Sequence, residues 1–173
     1  MIPSDHFVRF YNEVFKALQE RGHEHLLDYW RDIGRQQTAE LAEKFRAGGL
    51  RAAYDYWKRI VEEENCLADL VLTEDYFEGR MNRCPSLSKV LDSDAAPCEL
   101  YCDHCMGWVQ PVMEACGLYA VLNMISRKEP RCVLRVYKDK AKAEASEQRA
   151  ALPSRPYSNG ESICETSADC AQD

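Results

Sequence analysis

Apolar residues recur at helical spacing through the first third of the chain. Phe7, Phe10, Tyr11, Val14, Phe15 and Leu18 share one face of a helix predicted over Asp5–Arg21, with Ser4 or Asp5 as its cap and Gly22 as its stop. Leu26, Leu27, Trp30, Ile33, Leu41 and Phe45 form the apolar face of a second helix, about Glu24 to Ala47, which Gly48-Gly49 ends. A third covers about Leu50 to Glu64, with Ala53, Tyr54, Trp57, Ile60 and Val61 on its buried stripe.

The period changes after Cys66. Leu67 to Thr73 is short, rich in Leu and Val, and suits a strand, whereas Asp75 to Arg83 reads as a polar connection with at most a helical turn. Pro85 suits the first turn of a short helix reaching Leu91, and Asp92 to Pro97 reads as a loop. Cys98 to Cys116 is expected to be helical, closed by Gly117. Pro111 inside it costs about 3 kcal/mol in a helix interior, so a kink or a break near Trp108 is expected. Leu118–Ile125 and Cys132–Tyr137 form a predicted β-hairpin. Leu118, Ala120, Leu122 and Met124 lie on one face of its first strand, and Cys132, Leu134 and Val136 on one face of its second.

These elements predict an α+β fold, with N-terminal helices packed on a small antiparallel sheet that ends in a β-hairpin. The sheet edges need cover from helices or from a second copy, which makes a homodimer an expectation. The domain is placed at residues 1–138. Residues 139–173 form a polar extension in which KDKAKAEASEQRAA can be a solvated helix, and Pro153–Asp173, rich in Ser, Pro, Glu and Asp, reads as disordered.

Charge narrows the function classes. The net charge is −7 and the pI about 5.2. That balance argues against nucleic acid or an anionic membrane surface as partner, since both require clustered Lys and Arg. No apolar run approaches the roughly 20 residues of a membrane helix, and the N-terminus lacks a signal-like apolar stretch. The expected compartment is the cytoplasm, where the nine cysteines are read as metal ligands, nucleophiles or small buried residues before disulfides.

Five of those cysteines fall between Cys84 and Cys116. On a continuous helix Cys98, Cys102 and Cys105 stand at i, i+4 and i+7 on one side, and Cys84 can add a fourth sulfur from the preceding loop. Converging thiolates fit Zn²⁺ or an iron–sulfur cluster, so Cys84, Cys98, Cys102 and Cys105 are the candidate metal ligands. The CxxxCxxC string also matches the cluster loop of radical S-adenosylmethionine enzymes, but too little chain follows it to build their barrel.

Nucleophilic catalysis is the alternative. Cys102 or Cys105 near the start of a helix is a candidate nucleophile, His104 a candidate base and Asp103 its orienting carboxylate. On a continuous helix His104 points away from Cys102, where solvation is the common fate of such a residue. A core stripe is the third reading, because the same face continues through Val109, Val112 and Cys116. Cys164 and Cys170, in the tail as CETSADC, are candidates for pairing with each other or reaching the main site.

The order of segments is helices, then RCP, then CELYCDHC, then GLYAVLNMI and a returning CVLRVYK. Over roughly Asp5 to Lys138 this resembles the family of L-2-amino-thiazoline-4-carboxylic acid hydrolase-like proteins, and it is similar to vinyl-reductase-type small-molecule-binding domains. The resemblance implies a pocket between helices and sheet for a small sulfur- or nitrogen-containing ligand, and for the hydrolase, addition of water across a C=N bond. It transfers no catalytic residue. Three functions are therefore expected from the sequence: a cytosolic metal- or iron–sulfur-binding protein acting on or sensing a small molecule, a metal-free Cys hydrolase of a cyclic imine, or a non-catalytic ligand-binding domain.

Overall fold

A computed structural model describes residues 3–92 and 96–150. Helix α1 (Pro3–Arg21) is followed by α2 (His23–Glu63). Helix α2 is two predicted helices joined end to end, because only Gly49 leaves helical geometry, at φ 55° and ψ −142°. A positive φ suits a residue with no Cβ, so Gly49 turns the chain between two helical arms, where Gly48-Gly49 was expected to end the second helix. Strands β1 (Leu67–Leu72) and β2 (Tyr76–Arg83) precede the short α3 (Pro85–Leu91). A 3₁₀ turn (Tyr101–Asp103) then leads into α4 (His104–Ala115), and β3 (Tyr119–Ser126), β4 (Arg131–Tyr137) and α5 (Lys140–Ala150) complete the chain.

The four strands form one antiparallel sheet in the order β1-β2-β4-β3, which gives the expected α+β architecture. Strand β2 replaces the polar connection expected over Asp75–Arg83. Its polar residues alternate with core-facing ones: Phe77, Gly79 and Met81 pair with Val136, Leu134 and Cys132. Glu78 faces the other way and is buried with Arg80 at 3.2 Å and its cross-strand partner Arg135 at 2.6 Å. The ion pairs let a charged strand occupy the middle of a sheet.

On the inner face three cross-strand rows follow from the register. One is Leu72–Phe77–Val136–Ala120, the next Leu70–Gly79–Leu134–Leu122, and the last Ala68–Met81–Cys132–Met124. The first two pack against the second arm of α2 and against α4, through Leu50, Ala53, Val112 and Met113. A second core cluster joins α1, the start of α2, α3 and the 3₁₀ turn through Phe15, Trp30, Val90 and Tyr101.

Helix α4 lies against α2 at very close range. A Cβ on Gly34 would come within 2.8 Å of the Gly107 carbonyl oxygen and of Pro111, and one on Gly107 within 2.6 Å of the Trp30 Cβ. Pro111 causes no break, since α4 runs unbroken from His104 to Ala115. The carbonyl that a Pro111 N–H would have bonded is that of Gly107, and it faces Gly34 instead. Arg46 of α2 donates to the Ala115 carbonyl at 3.0 Å, and Leu118 N–H returns to Met113 at 2.9 Å across Gly117, whose φ is 70°. That is a Schellman-type end at the expected glycine.

Helix α5 falls in the stretch expected to be solvated. Its small Ala143 is buried against Val121 and Tyr137 on the outer face of β3 and β4, and Ser146 is buried too, so the packed chain continues past residue 138. The expected disorder of Pro153–Asp173 and the roles of Cys164 and Cys170 lie outside the described residues. No described helix is long and apolar enough to cross a membrane.

Replacing Gly34 or Gly107 with Ala is expected to destabilise the protein by roughly 1–3 kcal/mol, because backbone or a buried Trp must give way. Gly79→Ala, whose Cβ meets only the Leu70 side chain at 3.3 Å, is expected to cost less. Urea unfolding of the three variants checks the order.

Candidate functional site

The segment before α4 is held by one side chain of α1. Asn12 is fully buried; its Oδ1 accepts from Cys98 N–H at 2.9 Å and its Nδ2 donates to the Ala96 carbonyl at 3.2 Å. Pro97 disfavours helix at the residue before it. With the Cys98 N–H held by Asn12, the chain is non-helical to Leu100, takes a 3₁₀ turn and becomes α-helical only at His104. The single helical face expected for Cys98, Cys102 and Cys105 is not formed.

Cys98 points toward α1, where its thiol donates to Gln19 Oε1 at 3.0 Å. Burial raises its pKa, and the neighbouring charges are Lys16, Glu99 and Asp103.

Cys84, Cys102 and Cys105 keep company with a residue that the sequence reading left on the hairpin, Cys132. Cys84 caps α3, its sulfur accepting from Leu87 N–H at 3.5 Å. Its own N–H donates to the Pro130 carbonyl at 2.7 Å, which anchors it beside the start of β4. Burial is the main cause of every pKa rise among the four. The Cys132 thiol is pushed up to about 12, further raised by Cys84 and Cys102. Cys105 is raised well above the usual thiol value, with Cys84, Cys132 and Cys102 adding to it. Cys102 is raised by burial and by Cys84, while Arg127 opposes the rise. The inward alternation of Cys132 with Leu134 and Val136 was the signal that could have placed it here.

Tyrosine hydroxyls tie the pieces together. Ser86, two residues after Cys84, bonds the Tyr101 hydroxyl at 2.7 Å and the Tyr11 hydroxyl at 2.9 Å, so α3, the 3₁₀ turn and α1 share one network. Arg127 of the hairpin turn reaches Asp103 at 2.9 Å and the Glu99 carbonyl at 3.3 Å. Asp103 is thus engaged by Arg127, not by the imidazole it was expected to orient.

His104 is not solvated; it is 4 % exposed and sits among the rings of Tyr11, Phe15, Tyr101 and Trp108. The Tyr101 carbonyl is at hydrogen-bond range of Nδ1, so that nitrogen carries the proton and Nε2 is left as acceptor. Cys105 Sγ lies 3.7 Å from Nε2. Burial lowers the His104 pKa to about 4, partly countered by the Tyr101 carbonyl and Asp103. With the thiol pushed up and the imidazole pushed down, the resting pair is neutral on both sides.

All seven cysteines of the described residues are free thiols. Among those residues, no three His, Cys, Asp or Glu side chains stand together as a ready ligand set for a metal ion. The four thiols share a corner without being gathered at ligating separation. Comparison with protein-family models, curated proteins and solved structures returns no match.

His104 supplies a pH test. Its folded pKa, about 4, lies below the unfolded value near 6.5, so it favours the folded state above 6.5 and that contribution is lost as pH falls toward 4. The loss is expected to be about 3 kcal/mol. Denaturant unfolding of metal-free wild type and His104→Gln across this window should show the steeper fall in the wild type.

Proposed function

We propose that the chain is a thiol-based metal-binding protein whose centre is the corner of Cys84, Cys102, Cys105 and Cys132. The observation that supports this reading is that free, partly buried thiols from the α3 cap, the 3₁₀ turn, the start of α4 and β4 lie near enough for Cys84 to raise Cys102, for both to raise Cys132, and for all three to raise Cys105. Burial and mutual repulsion both disfavour thiolate, and a bound cation reverses both effects.

The donor set is soft and sulfur-rich, which fits a thiophilic metal, with Zn²⁺ and an iron–sulfur cluster as the expected cofactors. Because the ligands are not pregathered, binding draws α3, α4 and the hairpin together. Such a centre supplies Lewis acidity or redox capacity toward a small-molecule ligand. Ser86 links α3, which Cys84 caps, to the Tyr101 hydroxyl of the 3₁₀ turn that carries Cys102. The reading takes the thiols as kept reduced, and the cytoplasm is the compartment it expects.

The Cys105–His104 contact favours a second reading, a metal-free hydrolase of a cyclic imine with Cys105 as nucleophile and His104 as base. The resemblance to thiazoline-carboxylate hydrolases points the same way. The neutral resting pair counts against it, since proton transfer from a raised thiol to a lowered imidazole is uphill.

Anaerobic purification followed by metal analysis separates the readings. The metal reading expects stoichiometric metal, lost in Cys84→Ser and Cys102→Ser. A metal-free folded protein with all four thiols open to alkylation sinks it. A single fast-reacting thiol at Cys105, slowed in His104→Gln, supports the hydrolase instead.

A further inference from the structure

A cleft of about 610 Å³ opens in the bend of α2, lined by residues of both arms and by none of the four thiols. Small-molecule sites commonly measure about 300–1,000 Å³. The floor is aromatic. Phe45 is 1 % exposed, and its ring meets that of Tyr56 edge-on with centroids 5.7 Å apart. The walls carry charge in a repeated order. Each arm brings an acid and, four residues later, a base: Glu40 and Lys44 on the first, Asp55 and Arg59 on the second.

On the second arm both charges are already met. Arg51 Nε donates to both Asp55 oxygens at 3.0 Å. Arg59 reaches Glu63 at 3.6 Å, and its guanidinium lies 5.8 Å from the Tyr56 ring centroid. On the first arm neither charge is met. An acid four residues before a base is the favoured order for a helical ion pair, yet Glu40 and Lys44 stand apart, and neither has another partner among the described residues. Every other Lys and Arg of α2 has one. The cleft therefore joins an apolar floor to one unmatched charge of each sign, a single helical turn apart.

We propose that this cleft binds a free α-amino acid with an aromatic side chain. Its carboxylate lies on Lys44, its ammonium on Glu40 and its ring on Phe45 and Tyr56. The ammonium and carboxylate of an amino acid leave the same carbon, so one small molecule reaches both charges. A plain anion meets repulsion from Glu40 and Asp55, and a plain amine from Lys44 and Arg59, whereas a zwitterion compensates each. The site is separate from the thiol corner and its occupancy needs no metal.

Amide NMR shifts of the ¹⁵N-labelled full-length chain, titrated with L-phenylalanine, test the proposal. The comparison ligands are 3-phenylpropanoate, which lacks the ammonium, and 2-phenylethylamine, which lacks the carboxylate. Glu40→Gln and Lys44→Gln change exposed positions, where the fold tolerates substitution. L-Phenylalanine is expected to shift amides within residues 37–59 and to bind roughly fivefold more tightly than either analogue, and each variant to lose about that factor. Lys44→Gln is expected not to weaken 2-phenylethylamine, nor Glu40→Gln 3-phenylpropanoate. Absence of shifts in that segment at millimolar L-phenylalanine overturns the proposal. So does an analogue that binds as tightly as the amino acid, or an affinity that neither variant moves.

Discussion

The close crossing of α4 over α2 is the constraint on which the rest of the molecule depends. Two glycines, Gly34 and Gly107, bring the backbones so near that a carbonyl oxygen and a proline ring occupy the space of a Cβ. That contact sets how closely α4 approaches α2, and hence where its first turn carries Cys105 relative to Cys132. Pro111 contributes by lacking an amide proton, which leaves the Gly107 carbonyl to face Gly34. Had α4 ridden one methyl group higher, the start of the helix would stand clear of the hairpin, and Cys105 would no longer share a neighbourhood with Cys132.

Around that crossing the thiol corner is assembled by groups that are not sulfur. Asn12 sets the loop, Ser86 and two tyrosines tie α3 to the 3₁₀ turn, and Arg127 ties the hairpin to Asp103 and Glu99. These contacts place four thiols from distant parts of the chain in one half-buried volume, where Cys84 and Cys102 oppose ionisation of Cys132 and all three oppose that of Cys105. His104 answers the same burial in the opposite sense, remaining neutral with its Nδ1 proton directed at Tyr101. The corner is kept uncharged by its surroundings, a resting state that favours response to a cation over spontaneous nucleophilic attack.

Much of the architecture was legible from periodicity. The N-terminal helices, the helix after Pro85 and the final hairpin each carry an apolar pattern matched to their geometry, and Gly49 and Gly117 fall where positive φ is needed. Strand β2 was not legible, because Gly79 weakens its inner stripe and its outward residues are charged. The distant Arg135, together with Arg80, makes Glu78 acceptable at the centre of a sheet. Helix α5 was hidden for the reverse reason: it docks through alanine and serine, which carry little hydrophobic signal but allow close approach. At the site, helical spacing put Cys98 with Cys102. The chain broke that spacing because Asn12 and Pro97 hold Cys98 outside the helix, a long-range contact spanning 86 positions that no local pattern encodes. Cys132 joined through strand register, which requires knowing that β4 inserts between β2 and β3.

The Asn12 amide has a further consequence. It presents an acceptor to Cys98 N–H and a donor to the Ala96 carbonyl at once, and it is sealed from water. Rotating that amide by half a turn would set donor against donor and acceptor against acceptor, and sliding the loop so that Pro97 took the place of Cys98 would offer it a nitrogen with no hydrogen to give. The observed alignment satisfies both ends of the amide. The first helix thus acts as a reading frame for the approach to α4, so the phase at which the 3₁₀ turn begins, and with it the direction in which Cys102 leaves the backbone, is dictated from the opposite end of the chain.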